Sequence, residues 1–489
     1  MNELNLAMAT DLYELTMSQG YFNEKKTEEV AVFDAFFRKM PFDSGYAIMG
    51  GLDEIIRVIQ NFRFTEKDIE YFRELHLFTE PFLEYLRNFR FHGSIYAIPD
   101  GTVVFGGEPL VTVKAPLIEA QLVETVLLSY LNSHIAWTTA SKRISEASGG
   151  RAISEFGLRR SMSPIAGLYA SKCSFIGGCK STSNVLAGEV YGIPVSGTIA
   201  HSYITSFDSE YDAFLAYAKA YPHACTLLVD TYDVLTSGLP NAIRVAKEFL
   251  IPNGQKLQAI RIDSGDLAKL SKKARKMLDE AGLTETHICV SNGLDEKAIR
   301  SLLEQGAPID FFGVGDNIVL PNYARVGVVY KNVALQKTKD EEFISKIKAS
   351  NDEAKAITPG YKKVYRFYDN ESNLALGDVL AFHNEEIPQN EFTLIDPVNN
   401  LNQTTIRNYR VRELQVPIFL DGKLVYKEPS IYAKQAYCDA EMLTIPEEVK
   451  RYEKPQKYFV DMSKDLIQKK RELLTLAKHQ GMSLTRKVG

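Results

Sequence analysis

The spacing of apolar positions changes twice along this chain. Residues 9–22 open on Thr10-Asp11 and place Leu12, Leu15, Gln19 and Phe22 at i, i+3, i+7 and i+10, which predicts a helix. Residues 30–37 are rich in Val and Phe and alternate only loosely, a strand pattern that Arg38 ends. A helical pattern studded with charges and aromatics covers 51–91. From 93 to 114 the runs shorten to Ile95-Tyr96-Ala97, Val103-Val104-Phe105 and Leu110-Val111-Thr112-Val113. Pro-Asp-Gly and Gly-Gly-Glu-Pro separate them, so a small antiparallel meander is expected. Residues 1–150 therefore read as an N-terminal α+β domain.

After Gly149-Gly150 strand-like runs end near Phe156, Ile176, Gly197, Asp230, Asp263, Ser291 and Val314. Helical patterns fill most of the intervals; in 266–283, Leu267, Leu270, Ala274, Met277 and Leu278 form one stripe with lysines opposite. Alternating strands and helices predict a parallel sheet. A closed barrel explains them best, although a doubly wound open sheet has the same rhythm. The expectation is an irregular, roughly seven-stranded (β/α) barrel over 151–325, compact beside the ~250 residues usual for eight strands. Residues 191–195 read as a buried strand that ends in Ser196-Gly197-Thr198, and a long helical pattern runs from 200 to 221. Short strands return at 328–335, 363–368 and 374–382, so strands from 326–400 are expected to complete the N-terminal domain. The Lys/Asp/Glu-rich stretch 337–355 reads as solvated surface. Residues 401–489 form a C-terminal extension, largely helical at its end, with a charged amphipathic helix pair over 446–477.

Composition narrows the class. In 489 residues, 45% are apolar and 24% charged, the balance of an ordinary globular protein. A net charge of −5 gives no electrostatic reason to expect nucleic acid or an acidic membrane as partner. The five cysteines include no Cys-x-x-Cys pair, so neither a disulfide framework nor structural zinc is expected, and a reducing cytoplasm fits. The first residues show no basic region followed by an apolar core, so no secretion signal is expected, and the most apolar window, 117–137, carries too many polar residues to be expected to span a membrane.

Candidate chemistry gathers at the carboxyl ends of the predicted strands. Along 257–263 side chains alternate, so Leu257, Ala259, Arg261 and Asp263 share the inner face while Ile260 and Ile262 face the covering helices. Arg261 and Asp263 then stand one above the other near the barrel mouth, where barrel enzymes keep their sites. A buried Arg–Asp pair can also simply satisfy itself. Ser264-Gly265-Asp266, Ser291-Asn292-Gly293 and Gly313-Val314-Gly315-Asp316-Asn317 supply turns of small polar residues with free amides, which suits a phosphate cradle. Glu155-Phe156-Gly157-Leu158-Arg159-Arg160 adds an aromatic and guanidinium forks. His201 stands where a strand end meets a helix start. A lone histidine there is more often a cap or a core hydrogen bonder, and only its neighbours argue for chemistry. The 227–238 stretch resembles the ribose-phosphate motif of type I phosphoribosyltransferases, but Thr231-Tyr232 separates the acids and Pro240 removes an amide. Asp230 is read instead as an inward carboxylate. Such a set handles small phosphorylated anions with Mg²⁺.

Assembled, these segments resemble nicotinate phosphoribosyltransferase, a type II phosphoribosyltransferase of NAD biosynthesis. The matching stretches are Thr10-Asp11-Leu12-Tyr13, Phe36-Phe37-Arg38, Phe156 to Arg160, Ser183 to Gly188, Gly197 to Ser202, Asp230-Thr231-Tyr232, Arg261 to Leu267 and Ser291 to Glu296. The resemblance implies that His201 is phosphorylated by ATP, and that Tyr13 and Phe156 sandwich the pyridine, with Tyr13 coming from the other subunit of a homodimer whose active site lies at the interface. It implies that Thr198 and Arg261 hold nicotinate or the ribose phosphate, and that Arg38 and Arg159 hold anionic groups of 5-phosphoribosyl 1-pyrophosphate. Asp230 and Asp263 would face ribose hydroxyls or Mg²⁺; Asn292, Gly293, Gly313 and Gly315 would line the phosphate. Asp316 departs from the Thr or Ser of many relatives, an acid beside a phosphate. Mg²⁺ and ATP are the implied cofactor and co-substrate, with no zinc, flavin or nicotinamide cofactor. Residues 180–184 carry no acid to accept an amide, which favours nicotinate over nicotinamide. A nicotinamide-using relative, or a barrel isomerase or aldolase acting on a sugar phosphate, remains the alternative.

Overall fold

The computed structural model describes residues 4–321, 325–348, 357–397 and 402–485, with side chains through residue 477. The chain forms two compact units. One comprises Met1–Ala136, Arg325–Ser430 and Tyr437–Gly489; the other comprises Trp137–Ala324 and Ile431–Ala436.

Two large sheets and the two-stranded pair Ala47–Ile48 with Val103–Val104 build the first unit. In the seven-stranded one, Val30–Phe36 lies between Val329–Gln336 and Val111–Pro116, antiparallel to both. Ser94–Ala97 and Val416–Leu420 follow on the same side. Tyr330 stacks on Phe33 with ring centroids 4.7 Å apart, the cross-strand aromatic pairing that favours such sheets. The six-stranded sheet centres on Ala375–Phe382 and Lys362–Asp369, with Val460–Met462 parallel to the former. The pattern expected to be one helix over 51–91 is three: Leu52–Gln60, Glu66–Glu74 and Glu80–Arg87. A Thr65–Asp68 capping box starts the second. In place of a helix pair near the end there is a short helix, Glu447–Lys450, then the strand Val460–Met462, then one long helix, Lys464–Thr485. A backbone whose partner lies in a distant sheet gives no local signal. Residues 349–355 of the charged stretch lie outside the described residues.

The second unit is the parallel barrel. Hydrogen-bonded neighbours run Ser181–Thr182, Ala152–Glu155, Phe311–Val314, His287–Val290, Ala259–Ile262 and Thr226–Leu228. One further parallel bridge, Thr182 to Val195, adds a seventh position. Taken around the ring these positions follow chain order, and the last strand closes on the first through the Val314–Glu155 register. Among the described residues no backbone ladder joins Val195 to Thr226, so the ring has one open seam.

Two expectations fail here. The run ending at Ile176 is the helix Pro164–Ile176, capped by Ser163 with Pro at its first turn. Residues 191–195 are not a buried strand. The helix Val185–Tyr191 ends on left-handed Gly192, and Val195 is half exposed with a single bridge. Short apolar runs do not distinguish a helix end from a strand. The 200–221 pattern divides into His201–Thr205 and Glu210–Ala220. All five cysteines are buried and none is in a disulfide. Among the described residues no helix is long and apolar enough to cross a membrane.

Candidate active site

The barrel's inner face is set by alternation. Ile260 and Ile262 are fully buried against the helices, and Arg261 with Asp263 turns inward. The Arg261 guanidinium is held on three sides. Its Nε donates to Ser291 Oγ at 2.8 Å, Nη1 donates to Thr198 Oγ1 at 2.8 Å, and Nη2 lies 3.0 Å from Asp263 Oδ1. Ser291 donates to the same Asp263 oxygen. The guanidinium also sits 5.6 Å from the centre of the Phe156 ring. A planar cation pinned in this way keeps one edge and one ring face oriented without further rearrangement.

His201 is the first residue of its helix, after Ala200. Its Nδ1 hydrogen-bonds Thr231 Oγ1 at 3.1 Å. Its Nε2 faces two carboxylates, Asp230 Oδ1 at 3.9 Å and Asp263 Oδ2 at 3.8 Å. The Asp230 side chain is buried; Ser264 donates to its Oδ2 at 2.6 Å, while Oδ1 has no hydrogen-bond partner. Thus each aspartate has one oxygen held by a serine and turns the other towards the imidazole. The His201–Thr231 bond also crosses the seam that the backbone ladder leaves open, as the Thr198–Arg261 bond does from the same segment to the next strand.

Phe156 is anchored by its amide, which donates to Val314 O at 2.7 Å. A Cβ on Gly313 would fall 2.6 Å from the Phe156 ring, so the absence of a side chain at 313 is what lets the ring lie inward. Asn292 and Gly293 both take positive φ, 96° and 60°, and Asn317 Nδ2 donates to the carbonyls of Gly293 and Leu294. Gly315 precedes the short helix Asp316–Val319, and Asp316 lies 3.5 Å from Arg160. Both of these side chains are more than half exposed. Arg159 is exposed on the turn Leu158–Arg160. Cys289 pairs across the ladder with Arg261, but burial pushes its thiol up to about 12, so it is no thiolate nucleophile.

The barrel thus brings together His201, Arg261, Asp263, Asp230, Thr198 and Phe156, with Asn292, Gly293, Gly313, Gly315 and Asp316 at neighbouring strand ends. Tyr13 and Arg38 belong to the first unit. There Arg38 is exposed with its guanidinium 5.4 Å from the Phe36 ring centre. Tyr13 is partly exposed on the helix Leu12–Asn23, its phenol pushed up by burial and by Glu124 and Glu14.

Three further groups at the strand ends carry no signal in the sequence pattern. Glu155, fully buried behind the sheet, accepts from Ser171 Oγ at 2.9 Å, Thr182 Oγ1 at 2.5 Å and the Gly157 amide. Ser154, Ser181 and Ser196 form a hydroxyl cluster on the inner wall, with contacts of 2.9, 2.6 and 3.4 Å. Thr231 is the third. Spacing places each near a strand end, but only the fold tells which of them meet.

Known proteins match this chain along most of its length. Family models match as the nicotinate phosphoribosyltransferase N-terminal domain over residues 8–132, the nicotinate phosphoribosyltransferase family over 151–366 and the nicotinate phosphoribosyltransferase C-terminal domain over 361–470. The nicotinate phosphoribosyltransferase of Bacillus subtilis (strain 168) is 41% identical over 465 residues, covering 94% of each chain. The human nicotinate phosphoribosyltransferase is 31% identical over 518 residues, 94% of this chain and 95% of its own. The crystal structure of human nicotinic acid phosphoribosyltransferase superposes with a TM-score of 0.82 at 29% identity, over 95% of this chain and 99% of that one. A nicotinate-nucleotide pyrophosphorylase from Pyrococcus furiosus shares the fold, with a TM-score of 0.69 at 22% identity.

Proposed function

The chain belongs to the nicotinate phosphoribosyltransferase family, and from that membership we propose how its own residues divide the work. The activity is nicotinate phosphoribosyl transfer, a step of NAD biosynthesis. In our reading nicotinate and 5-phosphoribosyl 1-pyrophosphate give nicotinate mononucleotide and pyrophosphate. Pyrophosphate leaves C1 of the ribose, positive charge builds on the sugar, and the pyridine nitrogen attacks from the opposite face. Asp263 and Asp230 hold ribose hydroxyls against that charge. Arg261, with Thr198, fixes the carboxylate of nicotinate while Phe156 carries the ring. Asn292, Gly293, Gly313 and Gly315 border the 5-phosphate, and Arg159 and Arg38 are assigned to the anionic groups of 5-phosphoribosyl 1-pyrophosphate. Tyr13, from the partner in a homodimer, covers the other face of the pyridine.

The observation that carries this reading is the Arg261 cluster, a guanidinium pinned by Thr198, Ser291 and Asp263 beside an inward aromatic ring. Among the described residues no three His, Cys, Asp or Glu side chains gather as a metal cage. Magnesium would be borne on the substrate phosphates, with Asp230 or Asp263 as the protein carboxylate in reach, and would spread the charge of the departing pyrophosphate. ATP acts through His201, whose phosphorylation couples hydrolysis to tighter substrate binding. Product analysis with nicotinate or nicotinamide, 5-phosphoribosyl 1-pyrophosphate, Mg²⁺ and ATP tests the whole. Nicotinate mononucleotide is expected, and a preference for nicotinamide overturns the substrate assignment. Labelled ATP should leave acid-labile phosphate on the wild type and none on His201→Ala.

A further inference from the structure

Thr231 stands beside the inward carboxylate of Asp230 and bonds an imidazole thirty residues earlier in the chain. We propose that Thr231 is a positioning residue that selects which nitrogen of His201 takes the phosphoryl group. This rests on His201 being phosphorylated.

A neutral imidazole carries one proton, on Nδ1 or on Nε2, and its hydrogen-bond partners decide which. Here the two edges of the ring meet different chemistry. At Nε2 stand two carboxylate oxygens, 3.8 and 3.9 Å away, neither of which can donate. At Nδ1 stands a hydroxyl, which can donate or accept. The arrangement that uses both edges puts the proton on Nε2, facing Asp230 and Asp263, and lets Thr231 Oγ donate to Nδ1. The opposite tautomer would point a bare nitrogen lone pair at two anions. It would also bring an incoming γ-phosphate up against the same two charges.

Nδ1 is then the nucleophile. Its lone pair forms the bond to the γ-phosphorus of ATP. The bond from that phosphorus to the β–γ bridging oxygen breaks, and its electron pair leaves with ADP. Nε2 keeps its proton, so the ring gains positive charge, and Asp230 with Asp263 lies where that charge appears. The Thr231 hydroxyl turns from Nδ1 to donate to an oxygen of the transferred phosphoryl group. Tyr232 and Asp233, which follow, are exposed, and Asp233 caps the next helical turn. Thr231 is thus the residue of this loop that reaches the imidazole.

The test compares wild type, Thr231→Val and Thr231→Ser in the full-length protein. Val keeps the branched shape and loses the hydroxyl; Ser keeps the hydroxyl. Nitrogen-15 NMR of labelled histidine reads the tautomer of His201, which a purely structural role for Thr231 would leave alone. The expected result is a proton on Nε2 in wild type and a mixed tautomer in Thr231→Val. The initial rate of acid-labile phosphate formation from labelled ATP should fall about tenfold in Thr231→Val, the upper range for one lost neutral hydrogen bond. Thr231→Ser should recover most of it. A wild-type proton on Nδ1 overturns the proposal, as does a Thr231→Val that phosphorylates as fast as wild type. Wild type that takes no phosphate at all removes the phosphohistidine itself, and the two failures are thereby told apart.

Discussion

Arg261 is the residue on which most site contacts converge, and its chemistry makes the sharpest prediction. Lysine carries the same charge but has no planar fork, so it cannot meet Thr198, Ser291 and Asp263 at once. Arg261→Lys should lower kcat/KM for nicotinate by about 10²-fold, the equivalent of two charged hydrogen bonds at roughly 1.5 kcal/mol each. Its thermal unfolding should stay close to wild type, because the site is partly solvated. Equal activity in the lysine variant would remove the role of the planar fork in fixing nicotinate. Alternation along 257–263 was enough to place Arg261 and Asp263 together, since a strand's period of two is rigid. Nothing in the spacing reveals that Thr231 turns back to His201. Turn residues have no period, and their partners are chosen by the fold.

Among the elements, the wall behind the site depends on one carboxylate. Glu155 ties its own strand to the helix Pro164–Ile176 through Ser171, and to the strand Ser181–Thr182 through Thr182. Glu155→Gln turns an amide towards one of these donors in a fully buried place. It should cost about 2–3 kcal/mol, read as a lower Tm, with activity falling alongside. This is also the part of the barrel that sequence pattern read least well. Long periodic helices such as Leu267–Glu280 stand out by their stripe. The two-residue strand at 181 and the single bridge at Val195 are too short to carry a period. In the first unit, the helix Leu12–Asn23 is held by Glu14, which accepts from Thr10 Oγ1 at 2.7 Å and from the Thr125 amide at 3.0 Å. Burial pushes the Glu14 carboxyl up to about 7, against the pull of these donors. A carboxyl raised on folding adds stability that is fully present below its ordinary value near 4.5 and is lost as pH rises through about 7. Tm should therefore fall between pH 5 and pH 8, and Glu14→Gln should flatten that slope. A slope unchanged in the variant would assign the titration elsewhere.

At the scale of the molecule, the two units divide the assigned residues unequally. His201, Arg261, Asp263, Asp230, Thr198 and Phe156 belong to the unit of Trp137–Ala324, while Tyr13 and Arg38 belong to the other. Tyr13 is 45% exposed, an aromatic ring left available on the face of its helix. If Tyr13 serves the site of a partner subunit, two inactive chains can repair one another. In a heterodimer of Tyr13→Ala and Arg261→Ala chains, one barrel has its own Arg261 and receives an intact Tyr13 from the neighbour. The other barrel lacks both. Random exchange makes half of the dimers mixed, each with one complete site, so about a quarter of wild-type activity should return. The measurement is activity after the two variants are unfolded and refolded together, against each refolded alone. Were Tyr13 to serve its own barrel, every site in the mixture would lack either Tyr13 or Arg261, whichever chains paired. Activity would then stay at the level of the separate variants, and the shared site would have to be abandoned in favour of one built within a single chain.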